Sequence, residues 1–158
     1  MEQTRTFRAA DFLGEQRDAI LDVAFAELDR RRVRHYETTG PEETRRRLER
    51  LYDALLRAAA TRDLGEILGY AGRIAADRYG SGYGLSEVQT AFNVLEESIW
   101  MCVFAELDPA AHAETLSVVS TVLGAAKDEL ARRYVELTTQ THVPALDLAA
   151  LFTGTERA

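Results

Sequence analysis

The residues of this chain that could do chemistry are few, and their spacing argues against most reactions. Three histidines occur, His35, His112 and His142. None stands three or four positions from another, and no His-Glu-x-x-His or Glu-x-x-His pattern places two ligands on one helical face. A di-iron or zinc centre therefore has no visible ligand set, and no metal or other cofactor is expected. The adjacent acids Glu96-Glu97 and Asp128-Glu129 point in different directions on a helix, which makes them poor acid–base pairs. Cys102, the single cysteine, lies inside the apolar run Ile99-Trp100-Met101-Cys102-Val103-Phe104, with no basic neighbour to lower its pKa. It is expected to be a buried thiol. No serine or cysteine has a histidine beside it. No catalytic residue is assigned, and the chain is not expected to be an enzyme.

Two further groups could bind. Gly80-Ser81-Gly82-Tyr83-Gly84 is glycine-dense and precedes a helix, as phosphate cradles do. The preceding element is itself helical and no P-loop lysine follows, so a tight helix–helix turn with positive φ is the better reading. Tyr70, Ile74, Phe92 and Trp100 are candidates to line a small apolar pocket.

These residues sit on helices. Apolar residues recur at helical spacing throughout, and no run alternates like a strand. A first helix is predicted from Ala9 to Tyr36, ended by Thr38-Thr39-Gly40-Pro41. Pro41 suits the first turn of a second helix, with Glu42 and Glu43 against its positive end. Asp63 is the expected N-cap of a third helix, which carries Leu64, Ile67, Leu68, Ala71, Ile74 and Ala75. Its internal Gly69 and Gly72 suggest close approach of another helix. Ser86 and Gln89 form an S-x-x-Q capping box for a fourth helix, which Asp108-Pro109 ends. The fifth runs from about Ala110 to Thr141. On it Leu116, Val119, Leu123, Ala126, Leu130 and Leu137 approximate a heptad seam. Val118 and Val122 widen that seam, which hints at a helix from a second subunit. Leu116, Val119, Leu123 and Leu130 are thus the expected dimer contacts. Pro144 breaks the chain, and a short helix is expected over 145–152, with Thr153–Ala158 frayed.

The expected fold is all-α: five long helices plus a short C-terminal segment. Residues 1–142 form one domain, and 143–158 a tail or linker. A chain of 158 residues with 46% apolar and 28% charged residues can bury a core without disulfides. Neither a signal peptide nor a spanning segment is visible, so the cytoplasm is expected and a membrane is not. The net charge of −7 argues against nucleic acid. That charge is uneven: residues 1–62 hold 13 basic and 12 acidic side chains, residues 63–158 hold 6 and 14. The basic clusters Arg30-Arg31-Arg32-Val33-Arg34 and Arg45-Arg46-Arg47 stand beside acids, as on an ion-paired helix face. A docking surface for an acidic partner is the alternative.

Several positions together are similar to a known family. Ala71-x-x-Ile74-Ala75-x-x-Arg78-Tyr79-Gly80, then Gly84-Leu85-Ser86-Glu87-Val88, then Ala91, Leu95 and Ile99-Trp100 resemble the RsbRD-type N-terminal domain. Leu123, Leu130 and Tyr134-Val135 resemble its closing helix, and the likeness covers about 45–140. The resemblance implies a globin-like helical bundle without haem, found in the sensory halves of stressosome-type regulators and at the front of some transcriptional regulators and kinases. It implies dimerisation through the last helices, a protein partner in signal transduction, and a STAS output domain following; the sequence ends at Ala158, ahead of any such domain. Independently, no histidine lies between His35 and His112 to serve as a proximal haem ligand. The function expected is a non-catalytic, homodimeric sensory domain. A carrier or sensor of a small apolar ligand is the alternative.

Overall fold

The computed structural model describes residues 8–31, 40–140 and 148–152. Its elements are helices, with no strand among the described residues. They are α1 (Ala9–Glu15), α2 (Arg17–Arg31), α3 (Pro41–Thr61), α4 (Gly65–Gly80), α5 (Leu85–Glu106), α6 (Pro109–Thr139) and a 3₁₀ turn, Leu148–Ala150.

The expected first helix is two. The break falls at Gln16, which leaves the helical region at φ −92°, ψ 3° while its N–H still donates to the Phe12 carbonyl. No proline or left-handed residue causes it. The Leu13 carbonyl instead accepts a hydrogen bond of 2.7 Å from the Tyr52 hydroxyl on α3. Tyr52 is wholly buried, and a buried phenol must find an acceptor. Arg17, the first residue of α2, then reaches Asp53 with two hydrogen bonds, 2.7 and 3.1 Å. The remainder of the expected helix, Arg32–Tyr36, lies outside the described residues.

The joints explain the other helix ends. Gly40 has φ +81° and Pro41 opens α3. Arg62 closes α3 in the left-handed region, φ 61°, with its N–H on the Ala58 carbonyl. The N-cap of α4 is Leu64, one residue beyond the predicted Asp63. Asp63 still acts there, its Oδ1 accepting from the Gly65 N–H at 2.8 Å. After α4 the chain makes a Schellman turn. Tyr83 N–H donates to the Arg78 carbonyl and Gly82 N–H to that of Tyr79. Gly82 alone in this joint has positive φ, +82°. The predicted Ser86 cap is not formed: Gly84 is the N-cap, and Ser86 lies inside the first turn of α5. The backbone leaves the turn already extended at Gly84, which starts the helix before Ser86. Asp108 is the N-cap of α6 and Pro109 its first residue.

The core runs between all six helices. Tyr52, Phe92, Leu95, Ile99, Leu123 and Leu130 are among its fully buried side chains. Each such group contributes roughly 1.5–3 kcal/mol by leaving water. α6 packs most extensively on α4, then on α5, and also meets α3 and α1. The two helical glycines of α4 face different neighbours. A Cβ on Gly72 would lie 3.8 Å from side-chain atoms of Arg133 and Glu129 on α6, an ordinary contact that does not require glycine. A Cβ on Gly69 would instead lie 3.4 Å from Arg73 Nη1 of the same helix. The described part of the C-terminal segment folds back: Phe152 is buried, with the Arg62 guanidinium 5.5 Å above its ring. No helix among the described residues is long and apolar enough to cross a membrane.

Candidate functional site

The expected seam of α6 is inside the subunit. Val119, Val122, Leu123 and Leu130 are fully buried within a single chain, and Val118 nearly so. A second copy of the chain cannot reach them. The physical reason is that α6 is flanked by α4, α5 and α3, so its wide apolar face is consumed by neighbours in the same chain. Leu116 differs, being half-buried and packed at the edge of the core.

Surface apolar area gathers on α5. Trp100, Met101 and Phe104 occupy positions i, i+1 and i+4 and are 42%, 67% and 58% exposed. Trp100 therefore lies outside any internal pocket. The antiparallel register of α5 on α6 is fixed by four contacts. Phe104 meets the His112 ring edge-to-face at 4.9 Å, Ser120 donates to Glu96, and Lys127 Nζ reaches Asn93 and, at 2.7 Å, Glu96. In that register Leu116 falls opposite Trp100. One residue round from Leu116, α6 carries small residues: Ser117 and Thr121 are half-buried, and nothing lies within 4 Å of a Cβ placed on Gly124. His112 is held by donating from Nε2 to the Leu107 carbonyl at 2.7 Å. His35 and His142 fall outside the described residues. The sequence carried a signal for this exposure: seven consecutive apolar residues from Ile99 to Ala105 cannot all turn inward on one helix.

The four candidate pocket residues divide. Ile74 and Phe92 line one cavity of about 60 Å³ between α2, α3, α4 and α5. Its walls include Leu28, Leu51, Val88 and Ala91, and Arg47 and Arg78 stand at its edge. Arg78 is fixed by Asp77 at 2.6 Å and lies 4.8 Å over the Tyr83 ring. Tyr70 lies elsewhere, in a polar cleft between α3 and α4, donating from its hydroxyl to the Arg47 carbonyl at 3.2 Å.

The chemistry-bearing groups are engaged in structure. Glu96 turns toward α6, while Glu97 turns outward to Arg31 at 2.7 Å. Glu129 and Glu136 bracket Arg132 at 2.6 Å each. Cys102 is half-buried, its Sγ 3.8 Å from Gln16 Oε1, and burial pushes the thiol pKa up, away from thiolate chemistry. The arginine cluster of α3 is largely ion-paired: Arg45 with Asp22 and Glu49, Arg46 and Arg47 with Glu43. Among the described residues no three His, Cys, Asp or Glu side chains come together in a way that could hold a metal ion. Comparison with protein families, with curated proteins and with solved structures finds no match to this chain.

Proposed function

We propose that this chain is a non-catalytic regulatory domain of the globin-like, haem-free kind, working in the cytoplasm as a homodimer in a signalling pathway. The observation that carries the reading is the exposed pair Trp100 and Phe104, four positions apart on the side of α5 that borders α6. An apolar patch of this kind on an otherwise charged surface marks a protein contact. Two copies related by a two-fold axis would bring the same face together, with the aromatic pair as its centre. Small residues at Ser117, Thr121 and Gly124 leave room for the partner's ring systems. The likeness of Arg78-Tyr79-Gly80 and Gly84-Leu85-Ser86-Glu87-Val88 to the RsbRD-type joint supports the assignment to stress or transcription control.

Light scattering tests the dimer. The expected mass is twice 17.6 kDa at micromolar concentration, falling to 17.6 kDa in Trp100→Glu/Phe104→Glu. A monomeric wild-type protein would reject the reading. The carrier reading rests on Ile74 and Phe92 sharing a cavity, but about 60 Å³ is small beside the roughly 300–1,000 Å³ of ordinary ligand pockets. Native mass spectrometry of freshly purified protein separates the two, since a carrier would retain a stoichiometric adduct.

A further inference from the structure

The polar cleft between α3 and α4 has a volume of about 360 Å³ and shares no residue with the α5–α6 face. Five charged side chains line it: Arg50, Arg57, Arg73, Asp53 and Glu66. Both acids are already committed. Asp53 accepts two hydrogen bonds from Arg17, and Glu66 accepts two from Arg57. Arg50 and Arg73 have no carboxylate within salt-bridge distance among the described residues. The cleft thus keeps two guanidiniums without a direct ion pair, Arg73 acting on Glu66 only at longer range, in a chain whose net charge is −7.

Arg73 is also placed. Its guanidinium lies 6.0 Å from the centre of the Tyr70 ring. The absence of a side chain at Gly69, where a Cβ would come to 3.4 Å of Nη1, gives it room to lie there. Tyr70 is anchored in turn by its hydroxyl on the Arg47 carbonyl. The positive charges of Arg50, Arg47 and Arg73 all act on the Tyr70 phenol, opposing the upward push of burial on its pKa. Arg50 is on one helix and Arg73 on the next, so the two can approach an anion from different sides.

We propose that this cleft binds the phosphate group of a small polar molecule, with Arg50 and Arg73 as its ligands. A tetrahedral dianion offers separate oxygens to two guanidiniums on different helices, whereas a carboxylate offers two oxygens in one plane. The volume exceeds that of phosphate itself and lies at the lower end of the range for small-molecule sites. The Arg57–Glu66 pair at the rim supplies polar partners for the remainder of the ligand.

Calorimetric titration of the full chain with inorganic phosphate and with glycerol phosphate, at ionic strength held constant with chloride, tests the site. Saturable one-to-one binding is expected, with changes in the Nε–Hε resonances of Arg50 and Arg73. Arg50→Gln and Arg73→Gln should each weaken it by about tenfold, as loss of a charge-assisted hydrogen bond does. Both side chains are exposed, so circular dichroism should show intact folding. Arg46→Gln, on the same helix but outside the cleft, should leave the affinity unchanged. Equal weakening by Arg46→Gln, or resonance changes reproduced by chloride alone, would reduce the effect to a diffuse field and overturn the proposal. Binding of a phosphoserine peptide without binding of either small probe would also overturn it.

Discussion

The Tyr52 hydroxyl and the Leu13 carbonyl, 39 residues apart, meet at 2.7 Å where the N-terminal helix breaks. This bond holds α1 to α3 from inside the core, and the Arg17–Asp53 pair ties the start of α2 to α3 nearer the surface. Tyr52→Phe keeps the ring and removes the donor. It leaves a buried carbonyl unsatisfied, so unfolding in urea should show a loss of about 1–3 kcal/mol.

The same residue sets an alkaline limit. Burial raises the Tyr52 pKa above its ordinary value of about 10. The folded chain therefore keeps this proton at pH values where the unfolded chain releases it. The contribution to stability is complete below pH ~10 and declines as pH rises further. Denaturation from pH 8 to 11 should show a decline for the wild type that is smaller in Tyr52→Phe.

Within the glycine joint, position decides the outcome of substitution. Gly82 holds φ +82°, and Gly82→Ala should destabilise by about 1–2 kcal/mol. Gly84 has φ −74° with open space around its Cβ, so Gly84→Ala should change stability by less than about 0.5 kcal/mol. Thermal unfolding of the two variants in parallel checks the difference.

Self-association and stability should separate cleanly. Phe104→Ala is expected to raise the dimer dissociation constant while leaving the urea midpoint of the monomer nearly unchanged. Leu123→Ala, fully buried on α6, should cost about 2–5 kcal/mol of stability and leave association intact once folded. Sedimentation equilibrium combined with urea unfolding distinguishes these effects.

The cavity beside Ile74 invites filling. Val88 lines it and is otherwise buried, so Val88→Ile adds one methylene toward empty space. A gain of up to about 0.8 kcal/mol is expected from that group. Calorimetric unfolding checks the sign.

Helix ends written in local chemistry were legible. Gly40-Pro41 and Asp108-Pro109 each mark a start within a residue, because proline and a left-handed glycine act on their own backbone. The break at Gln16 was not legible, because the partner that takes the Leu13 carbonyl lies on another helix. Periodicity likewise showed that Val119 and Leu123 are buried, but not against what. The choice between an internal neighbour and a second subunit depends on how many helices flank α6, which no single helix encodes. Tyr70 and Ile74 lie four positions apart on α4 yet open into different spaces, Tyr70 into a polar cleft and Ile74 into an apolar one. That Arg73 has no direct ion pair depends on which acids Arg17 and Arg57 capture, a result of assembly.

The connections Arg62–Leu64, Ser81–Gly84 and Leu107–Asp108 tie consecutive helices almost end to end. A slide of one helical turn, about 5.4 Å, would tear linkers this taut. Relative motion of the helices is then confined to tilting or twisting of whole hairpins, with the Schellman bend at Gly82 and the proline corner at Pro109 as stiff elbows.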